Sequence, residues 1–451
     1  MGIVNVTPDS FSDGGHYATT ERAVAHALEM VDAGASIIDI GGESTRPGAE
    51  PVSAAVETAR VVPVIEKLQG QEFVGTPFGR SPIGVRLAAR TDGQQPAAVR
   101  RKAVSANPVT ISIDTYHPEV AKSAYLAGAR MLNDISGFRD SALIALAAGT
   151  VADCVVMHMR DNPRHMQDDP HYDDVVVEVN DWLLERAAAL EAAGVAPGRI
   201  VLDPGFGFGK TGGHNLQLLA AMPRLCTDWH ARGYQVLVGV SRKRFIGDLF
   251  GIEEPLNRDE MSADIAAALA AAGADIVRVH NVAATVAALA RQDQPPRDAY
   301  IALGSNQGDA WAHLQRATDL LRTIPLTGVD ALATPVLTEP AYDEDQPPFA
   351  NTVVRVSTQL SACALFAFLQ AIEVQMGRVK TRVNGPRVID VDLLDYEGLA
   401  LRLPGLTLPH PRLEERAFVV EPLREIAPQL PLPSSDLLPY GRIIRRLDRL
   451  Q

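Results

Sequence analysis

Short apolar runs rich in valine and isoleucine alternate with helical patterns over the first 290 residues of the chain. This alternation is typical of strand–helix units that are repeated around a parallel sheet. The eight runs cover residues 2–6, 36–40, 109–113, 130–134, 153–157, 199–203, 235–239 and 275–279. Eight units over this length predict an α/β TIM barrel rather than an open, doubly wound sheet.

Polar side chains stand at the C-terminal ends of all eight runs. They are Asn5, Asp39, Asp114, Asn133 with Asp134, His158, Asp203, Ser241 to Lys243, and Arg278 with His280. A single Asn or Asp at such a point often only caps the following helix. Eight polar ends together instead indicate an active site on the barrel face where the strands end.

The connection between the second and third runs is long. Residues 70–106 contain Gly, Pro and several Arg with little apolar periodicity, whereas loops beyond roughly 15 residues are uncommon in compact domains. The connection leads from a helix, predicted over 53–68, to a strand. We therefore expect a surface insertion on the barrel face opposite the active site, and the sequence predicts no role for it.

A second domain follows the eighth barrel helix, which is predicted over 282–291. The polar, proline-containing stretch 292–298 is typical of a short and fairly stiff linker. From Ala299 the pattern becomes strand, helix, strand, strand, helix, strand, which predicts an α+β ferredoxin-like domain. The predicted elements are 299–304, 308–322, 329–336, 350–356, 361–376 and 388–394. We divide the chain into a barrel over 1–291, a linker over 292–298 and a second domain over 299–451.

Composition and charge exclude several functional classes. The formal net charge of −13 argues against a general nucleic-acid surface, so an anionic substrate needs a local cluster of cations. The three cysteines, Cys154, Cys226 and Cys363, are widely spaced and odd in number, which fits free thiols in a reducing compartment and favours the cytoplasm. We find no secretory signal pattern or membrane-spanning apolar run, so we expect neither export nor membrane insertion.

Three loops of the predicted barrel, at 5–15, 41–48 and 203–210, combine Gly and Pro with Ser, Thr or a cation. Such loops let backbone N–H groups approach an anion. The cations expected to converge near them are Arg46, Lys210, Arg242, Lys243, Arg278 and His280. A phosphorylated or diphosphorylated substrate is the simplest ligand for them. Below them, Asp39, Asp114, Asn133 and Asp203 offer acceptors for the guanidine-like edge of a 2-amino-4-oxo heterocycle.

In the second domain, Asp390 and Asp392 lie two residues apart on a predicted strand, hence on one face. Two adjacent carboxylates repel each other unless cations bridge them, so a site for two magnesium ions is one interpretation. An exposed strand edge with solvated acids is the other. The surrounding basic residues favour the metal and a nucleoside triphosphate: Arg378, Lys380, Arg382, Arg387, His410 and Arg416. The phosphate loop GxxxxGK[ST] is absent, which indicates a different kind of kinase.

The loop motifs of the first domain resemble dihydropteroate synthase over nearly all of residues 1–290 outside 70–106. They are MGIVNVTPDSFSDGG, IIDIGGESTRPGA, SIDTY, NDISG, DPGFGFGKT, VGVSRKRFIG and VRVHNV. The resemblance implies condensation of p-aminobenzoate with dihydropterin-CH2-diphosphate and release of pyrophosphate, with magnesium on the diphosphate. Family members commonly carry a short segment before the first strand, where this sequence has Met1. Either the start codon lies upstream or the bottom of the barrel is less well covered.

The resemblance also implies roles for single residues of the barrel. Asn5 would coordinate magnesium, and Arg278 and His280 would hold the diphosphate. The pterin site would consist of Asp114, Asn133, Asp203 and Lys243, with Asp39 nearby. The p-aminobenzoate site would consist of Thr45, Arg46, Phe208 and Ser241.

The second domain resembles 6-hydroxymethyl-7,8-dihydropterin pyrophosphokinase over nearly all of residues 299–435. The motifs are ALGSNQGD, TEPAY, FANTVV, GPRVIDVDLL and LPHPRLEERAFVVEPL. The resemblance implies transfer of a diphosphate from ATP, the co-substrate, to the pterin hydroxymethyl group. Asp390 and Asp392 would hold two Mg²⁺, and the ATP contacts would be Arg378, Arg387, His410 and Arg416. The pterin contacts would be Thr338, Ala341, Phe349, Asn351 and Phe418. The loop over 379–384 is about one residue shorter than in some relatives, with Asn384 where a Trp can occur.

Two alternatives remain at this point. The barrel could instead belong to a pterin-binding enzyme that transfers a methyl group from a folate, although STRPG and SRK suit a diphosphate and a small carboxylate better. The second domain could be a catalytically silent dimerisation module, although its aspartates and arginines are all present. The expected ligands are small molecules, namely pterin, ATP and p-aminobenzoate. By resemblance we also expect a homodimer through the barrel, and the sequence does not tell whether the intermediate is channelled between the sites.

Overall fold

The computed structural model describes residues 1–7, 20–44, 51–70, 72–73, 76–77, 109–161, 165–378, 382, 384–434 and 438–448. Most of the predicted insertion 70–106 lies outside these residues, as do Thr45 and Arg46. The elements of the first region are β1 (Gly2–Asn5), α1 (Thr20–Asp32), β2 (Ile37–Gly41), α2 (Ala54–Gln69), β3 (Glu72–Phe73), β4 (Thr76–Pro77), β5 (Thr110–Asp114), α3 (Pro118–Ala127), β6 (Met131–Asp134), α4 (Ser141–Gly149), β7 (Asp153–Met157), α5 (Val175–Ala192), β8 (Ile200–Asp203), α6 (Gly212–Ala231), β9 (Gln235–Val238), α7 (Arg244–Phe250), α8 (Asp259–Ala271), β10 (Ile276–Val277) and α9 (Val282–Arg291).

Eight parallel strands form the barrel in the order β1-β2-β5-β6-β7-β8-β9-β10. The last strand returns to the first, because Ile3 N donates to Val279 O at 3.1 Å and Val279 N donates to Met1 O at 2.9 Å. All eight predicted strands are confirmed to within two residues at either end. The short hairpin of β3 and β4, which follows α2, stands outside the barrel sheet.

The barrel interior changes from apolar to polar toward the C-terminal ends of the strands. One buried apolar cluster consists of Met1, Ile37, Met131, Val155, Val201, Leu237 and Ile276. Side chains two residues further along a strand point to the same side. Those positions include Asp39, Asn133, Asp203 and Arg278. The strands therefore place a layer of polar side chains, called the polar layer, next to a layer of apolar side chains on its N-terminal side.

The second region contains a mainly antiparallel sheet with helices. Its elements are β11 (Arg297–Ser305), α10 (Ala310–Leu321), β12 (Thr327–Leu332), β13 (Val336–Thr338), β14 (Phe349–Thr358), α11 (Ala362–Gln375), β15 (Asp390–Tyr396), β16 (Leu401–Leu403), β17 (Leu406–Leu408), α12 (Ala417–Ile426) and β18 (Ile443–Arg446). The sheet order is β15-β11-β14-β13-β18, and β12 also pairs with β14. The β16–β17 hairpin and the edge strand β18 are additions that the sequence pattern did not predict.

Two predicted boundaries differ in detail. β11 begins at Arg297, inside the predicted linker, so the connection after α9 is shorter than expected. The single strand predicted near 329–336 is divided into β12 and β13. Pro335 lies between them, and a proline has no N–H with which to continue the ladder.

The two regions pack directly against each other. Helix α11 lies against α6 and α8, and the ring of Phe366 lies 5.8 Å from that of Phe250, centre to centre. Gly405 N, in the β16–β17 turn, donates to Phe250 O at 3.1 Å, and Ser361 Oγ donates to Asp264 Oδ2 at 2.6 Å. One hydrophobic cluster runs through both regions. The described residues include no helix long and apolar enough to cross a membrane.

Candidate active sites

The polar layer of the barrel is a connected network. Asp39 is fully buried, and its Oδ2 accepts hydrogen bonds from Asn133 Nδ2 at 3.1 Å and from Arg278 Nε at 2.7 Å. Arg278 Nη2 also donates to Asp114 Oδ2 at 2.7 Å. Four residues predicted from separate strand ends therefore contact one another inside the barrel.

Burial shifts the ionisation of groups in this layer. It raises the pKa of Asp114 to about 7, although Arg278 acts in the opposite direction. It raises the pKa of Asp203 to about 6, although Gly205 N donates to Asp203 Oδ1 at 2.8 Å. Burial, followed by repulsion from Arg278, lowers the pKa of the Lys243 ammonium to about 8. Groups that titrate near neutral pH suit a heterocycle with amino and carbonyl groups along one edge.

The loop after β8 brings an aromatic ring to this layer. Phe208 lies on the loop, and Lys243 Nζ is 3.8 Å from the centre of its ring. Gly205 has φ of +67°, and a Cβ there would lie 1.9 Å from His158 O, so the loop needs glycine at this turn. The loop thus sets Phe208 and Lys243 side by side at the mouth of the barrel.

Three further predicted residues lie at neighbouring strand ends. His280 Nδ1 is 3.0 Å from Ser241 Oγ, and His280 N donates to the same hydroxyl oxygen at 3.2 Å. Asn5 ends β1, and its Oδ1 is 3.6 Å from the position of a Cβ added to Gly41, which on its other side faces Asp114. The end of β1 therefore lies close to the Asp114 carboxylate.

The structure places two of the cations expected to converge here, Lys210 and Arg242, against local acceptors, and Lys210 lies close enough to Asp203 and Lys243 for each of them to shift its pKa. Lys210 is buried, and its ammonium donates to Gly205 O and Phe208 O, each at 3.0 Å. Arg242 donates Nε and Nη2 to the two carboxylate oxygens of Asp259, at 2.6 and 2.9 Å. Both cations stabilise loops, because local acceptors already satisfy them. Lys243 and Arg278 both lie within electrostatic reach of Asp114 and Asp203 in the polar layer.

Asp134 also has a local role rather than a place in the polar layer. Its carboxylate accepts hydrogen bonds from Ser136 N and Phe138 N, each at 2.7 Å. These bonds close the turn after β6 and do not cap a helix, since the N-cap residue of α4 is Asp140.

In the second region, Asp390 and Asp392 lie together on β15 and face three arginines. Arg378 Nη1 is 2.5 Å from Asp390 Oδ1, and Arg387 Nη1 donates to Asp390 Oδ2 at 2.7 Å. Arg416 Nη1 is 3.5 Å from Asp392 Oδ2. Both carboxylates lie on the edge strand β15 and are 24% and 33% exposed, but the arginines that hold them favour the metal interpretation over a solvated strand edge.

The sequence analysis missed a third carboxylate, Glu373 on α11. It is buried, pairs with Arg378, and its Oε1 accepts a hydrogen bond from Val391 N at 2.7 Å. Burial and then Asp390 raise the pKa of Glu373 to about 8, and the same two causes raise the pKa of Asp392 to about 6. A signal was available, since a single acid in the apolar helix ALFAFLQAIEVQ is rarely buried without a partner.

Two pockets flank the aspartate pair. The first has about 500 Å³ of space, part of it open to solvent, and is lined by Thr338, Ala341, Phe349, Asn351, Phe418, Tyr342, Arg387, Asp390 and Arg416 among others. All five residues predicted for the pterin therefore line one pocket. Asn351 Nδ2 donates to Thr338 Oγ1 at 2.9 Å inside it. Tyr342, which was not predicted, lies beside Arg416, whose Nε donates to Tyr342 Oη at 3.3 Å.

The second pocket has about 800 Å³ of space, again partly open, and is lined by Glu373, Arg378, Asp390, Asp392 and His410 among others. Burial lowers the pKa of His410 to about 4, so its imidazole is neutral near pH 7. The four residues predicted for ATP are thus divided between the pockets. Arg387 and Arg416 face the aromatic pocket, whereas Arg378 and His410 face the larger one.

Fold and sites together define a class of enzyme, one that holds planar heterocycles and anionic groups at two separate centres. Residues 1–78 and 97–280 match the family model of pterin-binding enzymes, and residues 300–428 match that of 7,8-dihydro-6-hydroxymethylpterin-pyrophosphokinase. The dihydropteroate synthase of Escherichia coli strain K12 is 41% identical over 291 residues, which are 64% of this chain and 88% of that enzyme.

Solved structures agree with these matches. The Yersinia pestis dihydropteroate synthase in a sulfonamide complex has a TM-score of 0.54 at 38% identity, covering 64% of this chain and 91% of that one. The Xanthomonas albilineans enzyme with 4-aminobenzoic acid has a TM-score of 0.52 at 44% identity, with coverages of 64% and 90%. The chain belongs to the dihydropteroate synthase family and carries a C-terminal pyrophosphokinase domain. It therefore joins two consecutive enzymes of folate biosynthesis.

Proposed function

We propose that the second domain makes the diphosphate ester of 6-hydroxymethyl-7,8-dihydropterin and that the barrel condenses this ester with p-aminobenzoate. The observation that carries the proposal is that Asp390 lines both an aromatic pocket and a larger, basic pocket, and that Asp392 lines the larger one beside it. The domains are 1–291, with an insertion over about 70–106, and 299–451, joined by 292–298. In the second domain α10 follows β11, three strands lie between α10 and α11, and β15 follows α11. This order supports a ferredoxin-like fold in which the second strand is divided into β12 and β13.

In the pyrophosphokinase, the aromatic pocket takes the pterin. Phe349 and Phe418 enclose the flat ring, and Thr338, Asn351 and the backbone of Ala341 bind its polar edge. The bond between Asn351 and Thr338 orients the amide toward the ring. The hydroxymethyl group then lies on the side of the pocket bounded by Asp390, Arg387 and Arg416.

The larger pocket takes ATP. The all-oxygen set of Asp390 and Asp392 fits Mg²⁺. Burial and then the neighbouring Asp390 raise the pKa of Asp392, and a bound cation would offset both effects. Bound magnesium neutralises charge on the phosphates and so assists their transfer. Arg378 and His410 bind the triphosphate from one side, and Arg387 and Arg416 bind it from the other. Without ATP, burial keeps the His410 imidazole neutral, and a triphosphate bound beside it would raise its pKa.

In the synthase, Asp114, Asn133, Asp203 and Lys243 bind the pterin, with Asp39 holding Asn133 and Arg278 in place. Arg278 and His280 bind the diphosphate. In the structure Arg278 pairs with Asp39 and Asp114, so a bound diphosphate would take the place of the contact between Arg278 and Asp114. The positive charge of these residues stabilises the pyrophosphate as the C–O bond breaks, and the p-aminobenzoate amine captures the resulting pterin cation. No enzyme nucleophile is required.

The remaining synthase assignments rest on the family resemblance. Thr45, Arg46, Phe208 and Ser241 form the p-aminobenzoate site, and the Xanthomonas structure with 4-aminobenzoic acid supports a binding site of this kind in the barrel. Asn5 offers an amide oxygen as a ligand for Mg²⁺, close to the Asp114 carboxylate. We further propose a homodimer through the barrel and a cytoplasmic location, the latter in keeping with three free thiols. The methyl-transfer alternative finds no support, since the relatives named above are dihydropteroate synthases.

An assay of the whole protein tests the proposal. The purified chain is given hydroxymethyldihydropterin, ATP, Mg²⁺ and p-aminobenzoate, with no other enzyme present. We expect dihydropteroate, AMP and pyrophosphate as products. AMP without dihydropteroate would contradict the barrel assignment, and dihydropteroate formation only from the preformed diphosphate ester would contradict the assignment of the second domain.

A further inference from the structure

A second group of polar side chains lies beside the barrel site, outside the machinery described above. Glu43 follows β2, Glu57 lies in the first turn of α2, and His117 precedes α3. One ligand atom from each side chain lies within 4.8 Å of those of the other two. The three side chains thus converge from three separate elements on one point.

This point is largely withdrawn from solvent. The side chains of Glu57, Glu43 and His117 are 1%, 10% and 25% exposed. Glu43 Oε2, Glu57 Oε1 and His117 Nε2 are buried atoms without a hydrogen-bond partner in the part of the chain that the structure describes. Buried polar atoms of native proteins are nearly always paired. Three unpaired ones in a single cluster therefore indicate a ligand that comes from outside the chain.

The carboxylates are held in place through their other contacts. Tyr116 Oη donates to Glu43 Oε1 at 2.9 Å, and Thr115 Oγ1 donates to Glu57 Oε2 at 3.1 Å. A Cβ at Gly42 would lie 2.7 Å from Glu57 Cγ, so the glycine lets α2 bring this side chain close. Hydrogen bonds of this kind orient the ligands of metal sites.

The donor set selects the kind of ligand. His117 Nε2 is 3.5 Å from Glu43 Oε2 and 3.9 Å from Glu57 Oε2. Ligand atoms of a tetrahedral Zn²⁺ site, with bonds of about 2.1 Å, lie about 3.4 Å from one another. One imidazole and two carboxylates suit Zn²⁺ and chemically similar ions better than Mg²⁺. We propose that Glu43, Glu57 and His117 bind one divalent transition-metal ion.

The ion has a structural role. It joins the loop that leaves β2 to the start of α2 and to the turn between β5 and α3. Its ligands lie near Thr45 and Asp114 in the sequence, but none of them belongs to the residues assigned to substrates or magnesium. The site is therefore separate from the catalytic centres, and its loss leaves the proposed reactions chemically possible.

Titration with Co²⁺, a coloured substitute for Zn²⁺, tests the proposal. The full chain carrying Asp390→Ala and Asp392→Ala serves as the parent, because the aspartate pair also binds divalent ions. We expect one equivalent of Co²⁺ to bind with the strong visible absorption of tetrahedral coordination. Glu57→Gln and His117→Gln, added separately, should weaken binding at least 100-fold. His171→Ala removes an exposed histidine that lies 3.5 Å from Asp173, and it should leave binding unchanged.

Two results would overturn the proposal. One is the lack of tetrahedral absorption in the parent at saturating Co²⁺, and the other is unchanged affinity in both glutamine variants. If the variants do not fold, X-ray absorption at the cobalt edge of the parent decides the question, since the proposal requires one imidazole nitrogen in the coordination shell. Synthase activity, measured separately with the preformed ester, tests the proposed function and does not depend on this outcome.

Discussion

Arg278 offers the most demanding test of the barrel site. It is one-fifth exposed and neutralises two carboxylates, Asp39 and Asp114, at 2.7 Å each. Removing one partner of a buried charge pair costs about 3–5 kcal/mol, because the other charge is left without compensation. For a domain of this size, each kcal/mol corresponds to roughly 2–4 °C in Tm. We therefore expect Arg278→Ala to lower the Tm of the barrel by about 10 °C at pH 8.

The loss should depend on pH in a defined direction. The pKa of Asp114 is raised by burial to about 7, well above its value of 3.8 in an unfolded chain. Between pH 3.8 and about pH 7, the folded state therefore keeps a proton on Asp114 that the unfolded state has lost. The free energy of unfolding falls as pH rises through this range. Without Arg278 the pKa rises further, so the variant should recover part of its Tm at pH 5.5.

Circular dichroism melting curves at pH 5.5 and pH 8 measure both effects. Arg224→Ala, which removes an exposed ion pair with Asp228 on α6, is the matched control and should change Tm by no more than about 2 °C. Synthase activity of Arg278→Ala should be lost while pyrophosphokinase activity persists. A Tm within 2 °C of the wild type at both pH values would refute the reasoning.

Three further predictions concern other parts of the chain. The pKa of Glu373 is about 8, so at pH 9 Glu373→Gln keeps an acceptor for Val391 N but removes a negative charge beside Asp390. The Mg²⁺ concentration for half-maximal pyrophosphokinase activity at that pH should therefore rise about tenfold; an unchanged requirement in a magnesium titration at pH 9 would contradict this. Phe366→Ala removes a ring that packs on Phe250, and should cost about 2 kcal/mol and separate the unfolding of the two domains in calorimetry; one unchanged transition would contradict it. Deleting residues 72–104, with a short Gly-containing turn in their place, should leave synthase KM values near those of the parent, because the connection from α2 to β5 joins the face opposite the active site; a large rise in KM for p-aminobenzoate in a folded variant would show otherwise.

The sequence predicted the barrel well because four strands combine an apolar residue with a polar one two positions later, as in Ile37 with Asp39 and Val201 with Asp203. Strand period and parallel topology then bring these polar residues together without further information. The same strand period placed Asp390 beside Asp392, whereas the five pterin candidates of the second domain came from the resemblance to the pyrophosphokinase family.

What the sequence could not supply is the choice of partner for each charged side chain. Lys210 and Arg242 lie in loops that follow strands, as Lys243 does, yet loop carbonyls accept hydrogen bonds from Lys210 and Asp259 pairs with Arg242. The arginines of the second domain divide between two pockets because β15 runs between those pockets, which spacing along the chain does not reveal. Glu373 lies on α11, a helix whose mainly apolar sequence predicts packing and does not reveal the partner of its one acidic residue. These assignments depend on tertiary distances rather than on local pattern.

The separability of the two activities tests the central claim most directly. The double variant Asp390→Ala, Asp392→Ala lacks both carboxylates of the proposed magnesium pair, so its triphosphate is left without charge neutralisation. The barrel network of Asp39, Asp114 and Arg278 contains neither residue. We expect this variant to make almost no dihydropteroate from hydroxymethyldihydropterin and ATP, yet to make it at the wild-type rate from the preformed diphosphate ester. Failure with the preformed ester, in a variant that remains folded by circular dichroism, would contradict the account and assign the aspartates to a composite site shared by both domains.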